Sequence, residues 1–240
     1  MMDTDHWVLI TGGARRIGAM LAIGLAERGF NIVIHHGHSV VDAEHTADSI
    51  RAFGREVIIV QADLTNSGRL VEAIFHPISQ IPLFALINNA ALFLPETLQQ
   101  VSLDSWNEHL QINLTAPMQI SQEFSRRFSG SEGRIINMLD WRALRPGLDH
   151  FSYTISKAGL AALTKSLARA LAPRIAVNGL ALGAILPPSD GNLEDNPTKS
   201  IPMNRWARNE EVIDAVNFLL TGPTYITGEI IHLDGGRNLI

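Results

Sequence analysis

Three residues in the second half of the chain combine types and spacing suited to moving a proton. Asp140 closes the strand-like run RIINMLD, Tyr153 follows thirteen positions on, and Lys157 four after that. If a helix begins near residue 151, Tyr153 and Lys157 share one face, so an ammonium lies near the phenol and favours its ionised form. A phenol tuned in that way serves as general acid or base near neutral pH. Asp140 is the unexpected member. A carboxylate beside the phenol can hold the phenolic proton in place or, when itself protonated, donate one, whereas it repels an oxygen on which negative charge develops. It can equally be a cap for the loop after the strand.

A second constellation suits a dinucleotide. TGGARRIG, residues 11 to 18, lies between an apolar run and a helical stretch. A backbone that passes close under a diphosphate and then presents free amides at a helix N-terminus needs glycine, here Gly12, Gly13 and Gly18, with Ile17 in the same turn. Sites that accept a ribose 2′-hydroxyl carry an acid at the end of the second strand, but IHHGHSVV, residues 34 to 41, has none. Arg15, Arg16, His36, His38 and Ser39 are instead donors fitted to a 2′-phosphate, which points to NADP(H). The plainer alternative is that the two arginines are solvated residues at a helix start, where their charge opposes the dipole. Asp63, in QADL, can accept from the adenine amine while the backbone of Leu64 fixes the ring. Asn88, Asn89 and Ala90, in NNAA, leave small and polar groups near the ribose. Each of these can also serve as a strand-end cap. His35, His36 and His38 alternate along a strand end but have no carboxylate beside them, so no metal site is expected.

The elements that must position these groups follow from hydrophobic period. Seven short apolar runs (7–11, 31–35, 57–63, 83–88, 134–139, 175–182 and 229–233) alternate with helical stretches at 16–28, 41–53, 67–79, 103–127, 151–172 and 209–220. That alternation predicts an α/β fold: a single doubly wound Rossmann-type domain, residues 1–240, with a seven-stranded parallel sheet flanked by helices. The only long stretch without clear period, 183–205, follows the sixth strand at the carboxyl end of the sheet, and residues 183–208 are expected to form a substrate lid. With 240 residues, 46% of them hydrophobic, the chain can bury a large core, and a net charge of −5 gives no global basic field for nucleic acid or anionic lipid. No run approaches a membrane span, and no basic segment with an apolar stretch and cleavage site opens the chain. The absence of cysteine suits a reducing cytosol, so a cytoplasmic protein is expected.

On TGGARRIG, NNAA, Asn113 within HLQINLTAP, YTISK, VNGLALGAI and ITGEIIHLDGG, the chain resembles the short-chain dehydrogenase/reductase family over nearly all its length. The resemblance implies Tyr153 as proton donor, Lys157 as the residue that binds the nicotinamide ribose and lowers the phenol pKa, and Asn113 as holder of a water that extends a proton relay. Gly183 falls in the cofactor-binding part of the pattern. It also implies a homotetramer built through the helices near 103–127 and 151–172 and the C-terminal segment. There are departures: Arg16 stands where most members carry glycine, Asp140 where they carry serine, and Leu182 where proline is common. The first two, with Phe93 after NNAAL, look like the pteridine reductase and dihydromonapterin reductase branch, in which a pterin lies between nicotinamide and an aromatic ring and arginine contacts cofactor phosphate and pterin. Phe93, Arg16, Asp140 and Tyr153 are then the expected substrate contacts. The function so implied is NADPH-dependent reduction of a dihydropterin (dihydromonapterin, dihydrobiopterin or dihydrofolate). A carbonyl reductase with an unusual aspartate, a non-catalytic NADP-sensing module and a purely structural assembly protein are the alternatives. Trp141, Arg142 and Arg145 can select a substrate tail or simply face solvent.

Overall fold

The computed structural model describes residues 6–187, 198 and 201–240. Seven strands, β1 (Trp7–Ile10), β2 (Asn31–His36), β3 (Val57–Gln61), β4 (Leu83–Asn88), β5 (Gly133–Asp140), β6 (Ile175–Leu182) and β7 (Ile230–Leu233), form one sheet in the order 3-2-1-4-5-6-7. All six pairings are parallel. The helices are α1 (Arg16–Glu27), α2 (Val40–Ala52), α3 (Leu70–Phe75), α4 (Leu103–Leu110), α5 (Ala116–Arg127), α6 (Phe151–Leu171) and α7 (Asn209–Thr221).

Both faces of the sheet are covered, and this is why its strands read as unbroken apolar runs. Side chains alternate across a strand, so neighbours enter different cores. Val8 and Ile10 of β1 pack with Leu21 and Leu25 of α1 and Val212 and Val216 of α7, whereas Trp7 and Leu9 pack with Phe75 of α3 and Ile120 and Phe124 of α5. Each such large side chain withdrawn from water contributes about 1.5–3 kcal/mol. Strand order reverses between β1 and β4, and at such a switch point a crevice opens outside the carboxyl ends of the strands. The glycine turn after β1, the NNAA segment after β4 and Asp140 at the end of β5 all lie at that end.

Two helices differ from expectation. The stretch 67–79 is helical only over α3, because residues 66–69 form a turn in which the Asn66 carbonyl accepts from Arg69 and Leu70, and Pro77 follows immediately beyond the C-cap His76. The stretch 103–127 is not one uniform α-helix: residues Gln111–Thr115 form a π-turn between α4 and α5, with the Ala116 amide donating to the Gln111 carbonyl. Pro117 supplies a reason. It has no N–H, so the carbonyl of Asn113, four residues earlier, loses its α-helical partner.

Of the expected lid over 183–208, residues 188–197, 199 and 200 lie outside the described residues. Among the described residues no helix is long and apolar enough to cross a membrane.

Candidate active site

The glycine turn is built to be approached closely. Gly12 holds φ +62°, and a Cβ on Gly18 would stand 1.9 Å from the Gly12 carbonyl oxygen. Side chains from three strand ends fasten the turn. Asn89 Nδ2 donates to the carbonyls of Thr11 (3.0 Å) and Gly12 (3.2 Å), while Thr11 Oγ1 accepts from the amides of Asn89 and Ala90. His35, unlike His36 and His38, had no expected role. Its Nδ1 accepts from the Gly12 amide at 3.2 Å and its Nε2 donates to the Ala62 carbonyl at 3.1 Å, so the neutral ring ties the turn to the end of β3. Burial pushes its pKa down to about 4, consistent with that neutral form. No acid occupies the first turn of α1, whose positive dipole end is thus left for an anion.

Arg16 adopts φ +50°, a left-handed conformation that glycine takes freely and arginine does not. This is the position where the wider family pattern has glycine, so the chain holds an arginine there against its backbone preference. Its Nη2 donates to the Pro187 carbonyl at 2.9 Å, at the threshold of the expected lid. Arg15 faces Asp42 across 3.7 Å, with both side chains more than half exposed. His38 is exposed, Ser39 begins α2 without a side-chain cap bond, and His36 is buried with Nδ1 lacking a partner. Asp63 Oδ1 accepts from the amide and hydroxyl of Thr65, and the Leu64 carbonyl accepts from Gln111. Gly183 packs on the backbone of Asp234, where an added Cβ would meet Cα at 2.6 Å. A glycine cradle, an anion-seeking helix end and uncommitted donors beyond β2 together fit a phosphorylated dinucleotide.

At the end of β5 the Asp140 carboxylate serves two neighbours. Oδ2 accepts the Tyr153 hydroxyl at 3.2 Å, and Oδ1 accepts the Arg142 amide at 2.8 Å, capping the short 3-10 turn Trp141–Ala143. Proton partner and cap, alternatives in the sequence, are both occupied by one side chain. The phenol is 6% exposed. Burial, then the Asp140 charge, then its hydrogen bond push the Tyr153 pKa well above the ordinary value. The expectation that Lys157 favours the ionised phenol is therefore reversed, and the phenol is held protonated. The buried Lys157 ammonium donates to the Met138 carbonyl at 2.7 Å, and burial pushes its pKa down to about 8 despite Asp140.

Asn113 is fully buried in the π-turn. Its Oδ1 accepts from the Leu92 amide, and its Nδ2 donates to the Leu92 carbonyl and Ser156 Oγ. The side-chain amide is thus spoken for, and a water in a relay would fall to the main-chain carbonyl that Pro117 leaves without its α-helical donor.

Phe93 forms the outer wall. Its ring, half exposed, lies 4.0 Å from the His150 ring and edge-on to Tyr153 at 4.6 Å. Glu96, which carried no signal in the sequence, anchors the Phe93 loop. Its carbonyl and Oε1 accept the first two amides of α6, and Oε2 accepts from Ser105 of α4. Asp149, equally unforeseen, pairs with Arg142 at 2.7 Å.

A family model described as short chain dehydrogenase matches residues 6–198. The 3-oxoacyl-[acyl-carrier-protein] reductase of Synechocystis is 32% identical over 97% of this chain and 97% of its own. A structure of FolM, alternative dihydrofolate reductase 1, from Brucella canis complexed with NADP is 34% identical, with TM-score 0.89, over 100% of this chain and 97% of that one. A blue fluorescent protein from a metagenomic library in complex with NADPH is 30% identical, with TM-score 0.89, over 97% of both chains. With matching motifs, sheet order and site geometry, the chain belongs to the short-chain dehydrogenase family.

Proposed function

We propose that this NADP(H)-dependent oxidoreductase reduces a dihydropterin, of the dihydromonapterin, dihydrobiopterin or dihydrofolate kind, to its tetrahydro form. The observation that carries the reading is the Tyr153 hydroxyl donating to Asp140, a carboxylate in the place of a neutral hydroxyl. Bound NADPH supplies hydride to the carbon of the pterin C=N bond. The remaining work falls to the protein. Reduction consumes one proton at the ring nitrogen, and a phenol held protonated by burial and by Asp140 is a stored proton beside that atom. A ring nitrogen is basic enough to take its proton before or together with the hydride, so no negative charge need build up there as it would on a ketone oxygen, and a facing carboxylate is tolerated. Phe93 presents a half-exposed ring on which a pterin can stack. Lys157 fixes the ribose, and the glycine turn with Arg15, His36, His38 and Ser39 holds the phosphates. Asp63, Leu64, Asn89, Ala90 and Gly183 complete the cofactor contacts. Arg16, bonded to Pro187, joins this site to the 183–208 segment, which we assign as the lid. A homotetramer belongs to the same reading.

The Synechocystis relative favours a second reading, reduction of a 3-oxoacyl thioester. NADPH oxidation measured against dihydropterins, dihydrofolate, a 3-oxoacyl thioester and simple ketones separates the two. Turnover of the thioester with none of any dihydropterin overturns the proposal.

A further inference from the structure

The substrate wall continues past the pterin position as a row of flat groups. The Arg142 guanidinium lies 5.9 Å from the Phe93 ring and 4.9 Å from the Trp141 ring, and the Arg237 guanidinium lies 4.4 Å from the same indole. Arg237 arrives from the C-terminal 3-10 turn Arg237–Leu239, and its carbonyl accepts from Arg145 at 3.3 Å. Two guanidiniums thus share one indole, with a third cation anchored beside them.

Every acid nearby is already committed. Asp149 pairs with Arg142. Asp140 accepts from Tyr153 and the Arg142 amide. Asp234 accepts the amides of Gly236 and Asn238 and so closes the C-terminal turn on itself. Among the described residues the Arg237 guanidinium has neither ion pair nor hydrogen bond, although its residue is only partly exposed. The acids balance the cluster at a distance without touching Arg237, and an unpaired bidentate guanidinium is the side chain best shaped to recruit a carboxylate or phosphate.

We propose that Arg237, set against Trp141 beside Arg145, is the anion-binding end of the substrate site and takes a carboxylate or phosphate on the tail of the pterin. The inference rests on the pterin reading and narrows it from dihydropterins in general to those with an anionic tail. The row from Phe93 through Arg142 and Trp141 offers a longer, flat tail successive contacts that end on the Arg237 cation. Burial, and then the nearby Arg142 charge, hold the Arg237 pKa below its usual value against the opposing charges of Asp140, Asp149 and Asp234, and a bound anion would relieve what remains.

The test compares kcat/KM of the NADPH-saturated enzyme on dihydrobiopterin, on a dihydropterin whose side chain ends in phosphate, and on dihydrofolate. Arg237→Gln should lower the ratio of an anionic to the neutral substrate about tenfold, equivalent to about 1.4 kcal/mol, chiefly through KM. Arg237→Lys should recover part of it, and added salt should erode the wild-type preference. A response confined to the carboxylate or to the phosphate substrate supports the site and names its ligand. An unchanged ratio, including the case in which all three substrates weaken together, makes Arg237 a packing residue and overturns the proposal. If no dihydropterin is reduced, the pterin reading itself fails. Titration of p-aminobenzoylglutamate into the NADPH-bound enzyme then judges the anion site alone: weaker binding to Arg237→Gln supports it, and equal binding overturns it.

Discussion

Replacing Asp140 separates two functions that the structure gives to one carboxylate. Oδ1 caps the 3-10 turn through the Arg142 amide, and Oδ2 takes the phenolic proton of Tyr153. In Asp140→Asn the amide oxygen can keep the cap, which leaves the NH2 facing the phenol. Two donors cannot share that contact, so the phenolic O–H must turn away from its present direction. Asp140→Ala loses both contacts. Cap loss is worth about 0.5–2 kcal/mol, and near 1 kcal/mol it lowers Tm by about 2–4 °C in a chain of this size. Stability should therefore order as wild type, Asn, then Ala, with Asn close to wild type. Turnover should not follow that order: both variants should fall about a hundredfold or more on dihydropterin at saturating NADPH, the span of a misdirected general acid. The alkaline limb supplies an independent reading. Asp140 raises the phenol pKa through charge and hydrogen bond, so without it activity should begin to fail at lower pH. The assays are NADPH absorbance for turnover and thermal melting for the cap. Wild-type turnover in Asp140→Asn, with damage confined to Asp140→Ala, would refute the reasoning and leave Asp140 a cap alone.

Tyr153→Phe should cut turnover at least about a hundredfold while NADPH affinity, followed by fluorescence titration, stays near wild type; near-normal turnover would reassign proton delivery. NADPH should bind at least about tenfold more tightly than NADH, and equal affinities would remove the 2′-phosphate role from Arg15, Arg16, His36, His38 and Ser39. Lys157 titrates near 8 in the free protein, so NADPH affinity should decline as pH rises past that value, and Lys157→Met should abolish the bend. From about 8 up to the ordinary lysine value of 10.5 the unfolded chain holds the proton that the folded chain has released, so the destabilisation due to Lys157 fades as pH rises there, opposite in sign to its effect on affinity. Arg16→Gly should relieve a left-handed backbone worth about 1–2 kcal/mol and raise Tm while weakening NADPH; a fall in both would show that the Pro187 bond outweighs the strain.

The sheet was legible because burial on both faces leaves each strand a continuous apolar run, and because glycine or proline ends most of the helices. What escaped lay in groups whose meaning depends on a partner distant in sequence. His35 looked like one of a local group of three histidines without a metal site, yet its two ring nitrogens bridge Gly12 and Ala62, which local pattern cannot relate. Glu96 works only because α6 begins at its carboxylate. The phenol was misjudged for a related reason. Spacing at i and i+4 placed Lys157 on the right face, but the Met138 carbonyl takes the ammonium, and burial with Asp140 then sets the direction of the shift. The π-turn was hidden because Pro117 is unremarkable at the start of a helix such as α5, and its effect falls on Asn113, four residues earlier.

Several departures from local preference lie at the carboxyl end of the sheet. Arg16 at φ +50° and His150 at φ +53° occupy left-handed backbone that their side chains disfavour. Among the described residues Lys157 is buried without a salt-bridge partner, the aromatic Phe93 is left half exposed, and His36 is buried with an unsatisfied ring nitrogen. Each lowers stability, by about 1–3 kcal/mol for a strained backbone position, and such features persist where the surrounding structure over-determines them. Here they line the crevice between the glycine turn and α6, where a cofactor diphosphate, a ribose and a flat heterocycle would relieve the helix dipole, the buried ammonium and the bare aromatic face in turn. These imperfections converge on the candidate site independently of the family, and under the proposed pterin reading the Asp140 carboxylate beside Tyr153 is what would set its chemistry apart from that of a ketone reductase on the same fold.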